Sequence, residues 1–266
     1  ITSNDLSDNA LNLLSSKYIP NYTSGITFFI AVAATNLFHQ GNWQRVFAAK
    51  NYEVLRRSLI FSFLIIVPIV FIMGMTGIFA VSLDNKINPD LAFFSFLLSK
   101  NSEILAIAVI ILAISLTVST LDTLINGISS LVIVDGKKIN KKLNSPNVIM
   151  IILALIGVFI ASKGFSILYL FLLADLLCCA AVFPLFYGFF KKNISESKLI
   201  LSFVLGLTLG LLLFPNTSFT NSLLVGGLVN DELFHPLIKN YLLFWSFLLA
   251  TIAPVITIFV KYTLAK

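Results

Sequence analysis

Apolar residues run in long stretches along this chain, separated by short polar segments. A hydrocarbon core of about 30 Å takes about 20 helical residues to cross, and seven stretches approach or exceed that length. The fourth and sixth, at about 16 residues, need flanking residues to span. The pattern predicts an all-α, polytopic transmembrane helix bundle of about seven spans: 25–47, 58–83, 103–134, 147–162, 165–190, 199–214 and 241–260.

A shorter apolar segment, 88–99, lies between the second and third predicted spans. It is too short to cross a bilayer, and Pro89 stands near its start, where proline favours a helix N-terminus. We expect a surface or re-entrant helix.

Composition agrees with membrane insertion. The 266 residues are 58% hydrophobic and only 11% charged, against about 25% charged residues in soluble proteins. The net charge of +6 comes from basic residues in the loops without interleaved aromatic residues, which argues against a nucleic-acid partner. We expect no enzyme activity and no cofactor, because hydrolase and nucleotide-binding motifs are absent. The adjacent Cys178 and Cys179 lie in an apolar run and suit buried small side chains.

Basic residues indicate the orientation of the spans. If seven spans alternate, one side of the membrane carries thirteen of the 18 Lys and Arg residues. The positive-inside rule then places the C-terminus in the cytoplasm. The residues of this side are Arg45, Lys50, Arg56, Arg57, Lys137, Lys138, Lys141, Lys142, Lys191, Lys192, Lys198, Lys261 and Lys266.

The third span carries polar groups at helical spacing, so that they share one face of the helix. A carboxylate at the bilayer centre costs about 2.5–3.5 kcal/mol on insertion scales and therefore needs a partner. Hydroxyls beside a carboxylate suit a hard cation such as sodium, but small polar residues also hydrogen-bond between helices. Asp122 can serve either role. The residues of this face are Ser115, Ser119, Asp122, Asn126 and Ser129, and Thr120 directly follows Ser119.

Two other spans carry candidate binding residues. A polar, glycine-containing stretch, 35–43, interrupts the first span. It predicts either a broken helix of the kind that binds transporter substrates or a span that ends at Phe38 before a cytoplasmic loop. His39 is either a ligand-binding residue or a histidine at the membrane interface. In the fifth span, Asp175 is either a functional carboxylate or a hydrated group near the outer interface, with Tyr169 nearby.

With these residues identified, the chain resembles the sodium/solute symporter family. Residues 37–50 (LFHQGNWQRVFAAK) are similar to that family's element ending in Gln-Arg-x-x-x-Ala-Lys. Residues 119–126 (STLDTLIN) resemble its sodium-site helix, and residues 173–184 give a looser third match. The resemblance implies the C-terminal part of a transporter built from two inverted five-helix repeats.

The resemblance also implies a domain organisation. Residues 1–24 would be an extracellular segment, 25–190 the second five-helix repeat with a broken first helix, and 191–266 two additional transmembrane helices with an extracellular loop. The first repeat would be missing. Since the chain also begins at Ile1 without a signal-peptide pattern, we expect a fragment.

Matched position by position, the resemblance implies specific ligands. Ser119 and Thr120 would bind sodium through their side chains and Leu116 through its carbonyl oxygen, with Asp122 as a further candidate. The first helix of the missing repeat would complete this site. The substrate-binding candidates, two of them from the resemblance alone, are Asn36, His39, Gln40, Tyr169 and Asp175.

The function implied is sodium-coupled symport of a small polar solute into the cell by alternating access. We expect a multi-pass protein of the bacterial plasma (inner) membrane, whose partners are the solute, sodium, the lipid bilayer and the missing repeat. One alternative is the transporter-like membrane domain of a sensor or signalling protein. Another is a channel-like or scaffolding membrane subunit.

Overall fold

The computed structural model describes residues 17–83, 87–88, 91–98, 103–139, 146–191, 194–225 and 236–260. Their regular structure is helical, apart from one isolated bridge between Pro215 and Ser222. The helices are α1 (Ile19–Phe38), α2 (Gln40–Ala48), α3 (Tyr52–Leu83), α4 (Ala92–Leu98), α5 (Glu103–Ile139), α6 (Pro146–Ala161), α7 (Ile167–Phe190), α8 (Glu196–Leu213), α9 (Pro236–Lys239) and α10 (Leu242–Phe259).

Five of these helices are long and apolar enough to cross a membrane: Tyr52–Leu83, Glu103–Val134, Ile167–Phe190, Glu196–Leu213 and Leu242–Phe259. The prediction of an all-α integral membrane protein is therefore confirmed for the described residues. A helix satisfies its backbone hydrogen bonds internally, which is why apolar runs adopt this form in lipid.

The other two predicted spans also fold as helices but are not among these five. The first is divided into α1 and α2, and the fourth is the 16-residue helix α6. Thus the count of seven stays a prediction. The short apolar segment forms α4, while Pro89 and residues 1–16 of the predicted extracellular segment lie outside the described residues.

The chain divides into two compact units. The first contains His39–Gly164, and the second contains Ser16–Phe38 with Phe165–Lys266. In the first unit, α3 packs with α4 and α5 packs with α2, α4 and α6. In the part of the chain that the structure describes, nothing buries the apolar windows of α3 and α5, so their surfaces are free to face lipid or another protein segment.

The second unit has a buried core where α1, α7, α8 and α10 pack together. Leu172, Leu176 and Phe247 are at most 1% exposed. Cys179 is fully buried in this core and Cys178 is half-buried, and both are free thiols. Packing therefore accounts for these cysteines, as the sequence indicated.

Close packing of α8 against α10 depends on two glycines four residues apart, which share one helix face. A Cβ atom added to Gly206 would lie 2.4 Å from the Cγ of Pro254, and one on Gly210 would lie 2.9 Å from the Cβ of Ala250. Ser246 donates a hydrogen bond to the carbonyl of Gly210 at 2.7 Å. The small residues of α8 therefore allow its backbone to approach the backbone of α10 closely.

Candidate functional site

The helix at the polar stretch is interrupted at one residue. Helix α1 ends at Phe38, His39 has extended backbone angles (φ −71°, ψ 105°), and α2 begins at Gln40. The His39 carbonyl accepts the N–H of Asn42 at 3.0 Å, which starts the new helix. Residues 40–48 therefore form a short helix directly after α1. The two sequence interpretations, a broken membrane helix and a span that ends at Phe38, stay predictions.

Within the first unit, the residues that follow the break pack on α5. A Cβ atom on Gly41 would lie 3.0 Å from the His39 ring and 3.2 Å from the Cγ2 of Thr123. A Cβ on Gly127 would meet Gln40 at 3.6 Å. The two glycines thus bring the α2 N-terminus against the same helix that carries the hydroxyl stripe.

His39 has an unusual environment. Its Nδ1 atom is buried and has no hydrogen-bond partner among the described residues. The Oγ atom of Ser129 on α5 is in the same situation. A buried polar atom without a partner costs about 1–3 kcal/mol, so such atoms are candidates for contact with a water molecule or a polar solute.

The predicted sodium ligands lie on the exposed surface of α5. Leu116 is 61% exposed, and Ser119 and Thr120 are also exposed. Thr120 donates to the carbonyl of Leu116 at 2.8 Å, so this carbonyl already has a side-chain partner. Sodium binding through both oxygens therefore requires the Thr120 hydroxyl hydrogen to turn away from Leu116.

Asp122 also has a partner on its own helix. Its Oδ1 accepts a hydrogen bond from the amide of Asn126 at 2.9 Å. Among the described residues, no group of three or more His, Cys, Asp and Glu side chains is placed to hold a metal ion. A cation on this helix would therefore depend on hydroxyl and carbonyl oxygens, with Asp122 as a further candidate ligand.

In the second unit, Asp175 is buried between helices, at 7% exposure. Its Oδ1 accepts a hydrogen bond from the hydroxyl of Thr35 on α1. The sequence identified Asp175 as an intramembrane carboxylate but not its partner, because partners on different helices leave no local spacing signal.

Asn36 and Tyr169 have different surroundings in this unit. Asn36 is exposed, and its amide donates to the Val32 carbonyl of its own helix at 2.8 Å. Tyr169 is buried at 5% exposure, and its hydroxyl donates to the Pro215 carbonyl at 3.3 Å. The structure therefore places Tyr169 in the core beside the rings of Phe214 and Phe219, where it helps to hold the segment after α8.

A pocket of about 210 Å³ with a mixed apolar and polar lining opens at the N-terminal end of α1 in the second unit. Thr23, Ser24 and Thr27 of α1 line one side, and Lys239 and Tyr241 lie opposite. Thr27 is 1% exposed, and its hydroxyl donates to the Thr23 carbonyl at 2.7 Å. None of the predicted site residues lines this pocket.

The comparisons with known proteins give no further assignment: no family model, no curated protein and no solved structure matches this chain. Hence the arguments for function come from the residues and their contacts.

Proposed function

We propose that this chain is part of a sodium-coupled symporter that carries a small polar solute into the cell by alternating access. The observation that carries the proposal is the helix interruption at His39. Transporter binding sites are commonly built at such breaks, where backbone groups are free to bind a solute. The same stretch bears one of the two more specific sequence resemblances to the sodium/solute symporter family.

The solute would contact residues beside the break. His39 is supported by its buried, partnerless Nδ1 atom, and Gln40 follows it at the start of α2. Asn36, Tyr169 and Asp175 are the further candidates. The buried carboxylate of Asp175 has the best physical support among these three, since buried intramembrane carboxylates usually have a functional role.

Sodium would bind the hydroxyl face of α5 through Ser119, Thr120 and the Leu116 carbonyl. This face is exposed in the chain, whereas a cation in a membrane needs oxygen ligands from several directions. We propose that the first repeat of the transporter covers the face and completes the site. A membrane potential of about 100 mV then contributes about 2.3 kcal/mol per sodium ion carried inward.

The proposed location is the bacterial plasma membrane, with the C-terminus in the cytoplasm. The support is the distribution of lysine and arginine residues among the loops.

Uptake measurements test the proposal. The intact protein in proteoliposomes is assayed with a panel of small polar solutes, with and without an inward sodium gradient. We expect sodium-dependent uptake of at least one solute, which Ser119→Ala with Thr120→Ala abolishes. Thr117→Ala is the matched control, because Thr117 is an exposed hydroxyl of the same helix that also donates to a backbone carbonyl, that of Ala113.

Two outcomes would contradict the proposal. If no solute is taken up, a sensor or scaffolding role replaces transport. If uptake keeps its sodium dependence in the double variant, the sodium site lies elsewhere.

A further inference from the structure

An apolar groove of about 470 Å³ lies between the C-terminal half of α7 and the N-terminal half of α8. Residues from Ala181 to Phe189 form one wall, and Leu199, Ile200 and Phe203 form the other. Gly188 permits the close approach of the walls, because a Cβ atom there would lie 2.5 Å from the Cδ1 of Leu199. The groove is open, since Phe189 is 83% and Ile200 62% exposed.

The length of the groove matches one leaflet. Phe189 lies eight positions after Ala181, which corresponds to about 12 Å along a helix axis. One half of a hydrocarbon core of about 30 Å is about 15 Å deep. A groove of this length, apolar and open to the side, fits a single lipid acyl chain that runs along the helices.

Basic side chains mark one end of the groove. Lys191 is exposed and caps α7, two residues beyond Phe189, and Lys198 immediately precedes Leu199. Lys198 donates to the Val260 carbonyl at 3.3 Å, and an ammonium group has two further N–H donors. Against these two lysines, the described residues at this end of the two helices include a single carboxylate, that of Glu196.

We propose that this groove binds an anionic phospholipid, with an acyl chain between α7 and α8 and the phosphate at Lys191 and Lys198. The charge at the groove end favours an anionic headgroup, since the choline cation of a zwitterionic lipid offsets the attraction between its phosphate and the two lysines. Each lysine near a membrane surface contributes about a fivefold preference for anionic lipid. The proposal is independent of sodium coupling, because it uses no residue of the proposed transport site.

Fluorescence quenching by brominated lipids tests this site. Phe189→Trp places a reporter in the groove of the intact protein, and Phe171→Trp is the matched reporter at the other, exposed end of α7. The membranes contain phosphatidylglycerol and phosphatidylcholine, with one of the two brominated in each sample. The fluorescence of the native Trp43 and Trp245 is measured in the parent protein and subtracted.

We expect brominated phosphatidylglycerol to quench the groove reporter in preference to phosphatidylcholine, with about fivefold enrichment for each lysine. Phe171→Trp should show no such preference. Lys191→Gln with Lys198→Gln should abolish the enrichment. Lys163→Gln, a change at an exposed lysine of the first unit beside the Phe159 ring, should leave it unchanged.

Three results would overturn the proposal. They are equal enrichment at both reporters, enrichment that survives the double lysine variant, and no quenching by either lipid. The last would show that a protein segment fills the groove. The comparison of the two reporters needs no lysine variant, so it remains decisive even if the double variant misfolds.

Discussion

Removal of the Thr35 hydroxyl tests whether the α1–α7 contact contributes to stability. Thr35→Val keeps the shape of the side chain but removes the donor to Asp175, which is only 7% exposed. An unsatisfied buried polar group costs about 1–3 kcal/mol, while side-chain hydrogen bonds within membranes average about 0.6 kcal/mol and reach about 1.7. We expect Thr35→Val to lower the free energy of unfolding by about 1–3 kcal/mol.

The matched control is Thr27→Val on the same helix. Thr27 is more deeply buried, but its hydroxyl donates to the Thr23 carbonyl of its own helix. That carbonyl keeps its backbone partner in the variant, so the change in stability should be close to zero. Equilibrium unfolding of the intact protein in mixed detergent micelles measures both values.

A double-mutant cycle that combines Thr35→Val with Asp175→Ala measures the interaction energy between these two side chains. We expect a coupling energy between Thr35 and Asp175 of about 0.6–1.7 kcal/mol. Zero coupling, or a Thr27→Val variant as unstable as Thr35→Val, would refute the argument that this hydrogen bond joins the two helices.

Two further predictions concern packing and topology. Gly206→Ala should destabilise the protein by about 1–3 kcal/mol, because the added Cβ would lie 2.4 Å from Pro254. The control is Gly25→Ala, where no atom lies within 4 Å of the added Cβ, so this variant should be neutral or slightly stabilising. Thermal unfolding measures both variants. Similar losses for the two glycine variants would contradict the close α8–α10 contact. Cysteines at Lys191 and Lys163, in a background without native cysteines, should react with an impermeant maleimide from the cytoplasmic and the outer side, respectively. Reaction of both from one side would show the predicted alternation of spans to be wrong.

The sequence predicted the long helices well, for a physical reason. Apolar runs in lipid must satisfy their own backbone hydrogen bonds, so hydropathy alone comes close to their ends. The predicted span 58–83 is the helix Tyr52–Leu83, and 165–190 is Ile167–Phe190. The first helix begins earlier than predicted because its polar first turn extends it beyond the apolar part, and the second begins two residues later than predicted.

The tertiary contacts were harder to predict. The Thr35–Asp175 hydrogen bond joins residues 140 positions apart, and nothing in the local sequence links them. Gly206 and Gly210 did carry a signal, since two small residues four apart on an apolar helix favour close packing. That signal identifies the packing face of α8 but not α10 as its partner.

The predicted binding sites differ in how many neighbouring groups the described residues supply. At the break, the sequence left a broken helix and a loop equally open, and the structure has a short helix, α2, after the extended backbone of His39. The hydroxyl face of α5 is a surface of this chain, so its ligand geometry depends on groups beyond the described residues.

Charge movement is the property that separates a sodium-coupled carrier from the alternatives. Proteoliposomes of the intact protein, adsorbed on a solid-supported membrane, report the current that follows a rapid solute addition. We predict a transient inward positive current that requires sodium and disappears in the variant with alanine at both Ser119 and Thr120. A solute-induced current of equal size in potassium or choline, or no current with any uncharged solute that the protein binds, would contradict sodium-coupled transport.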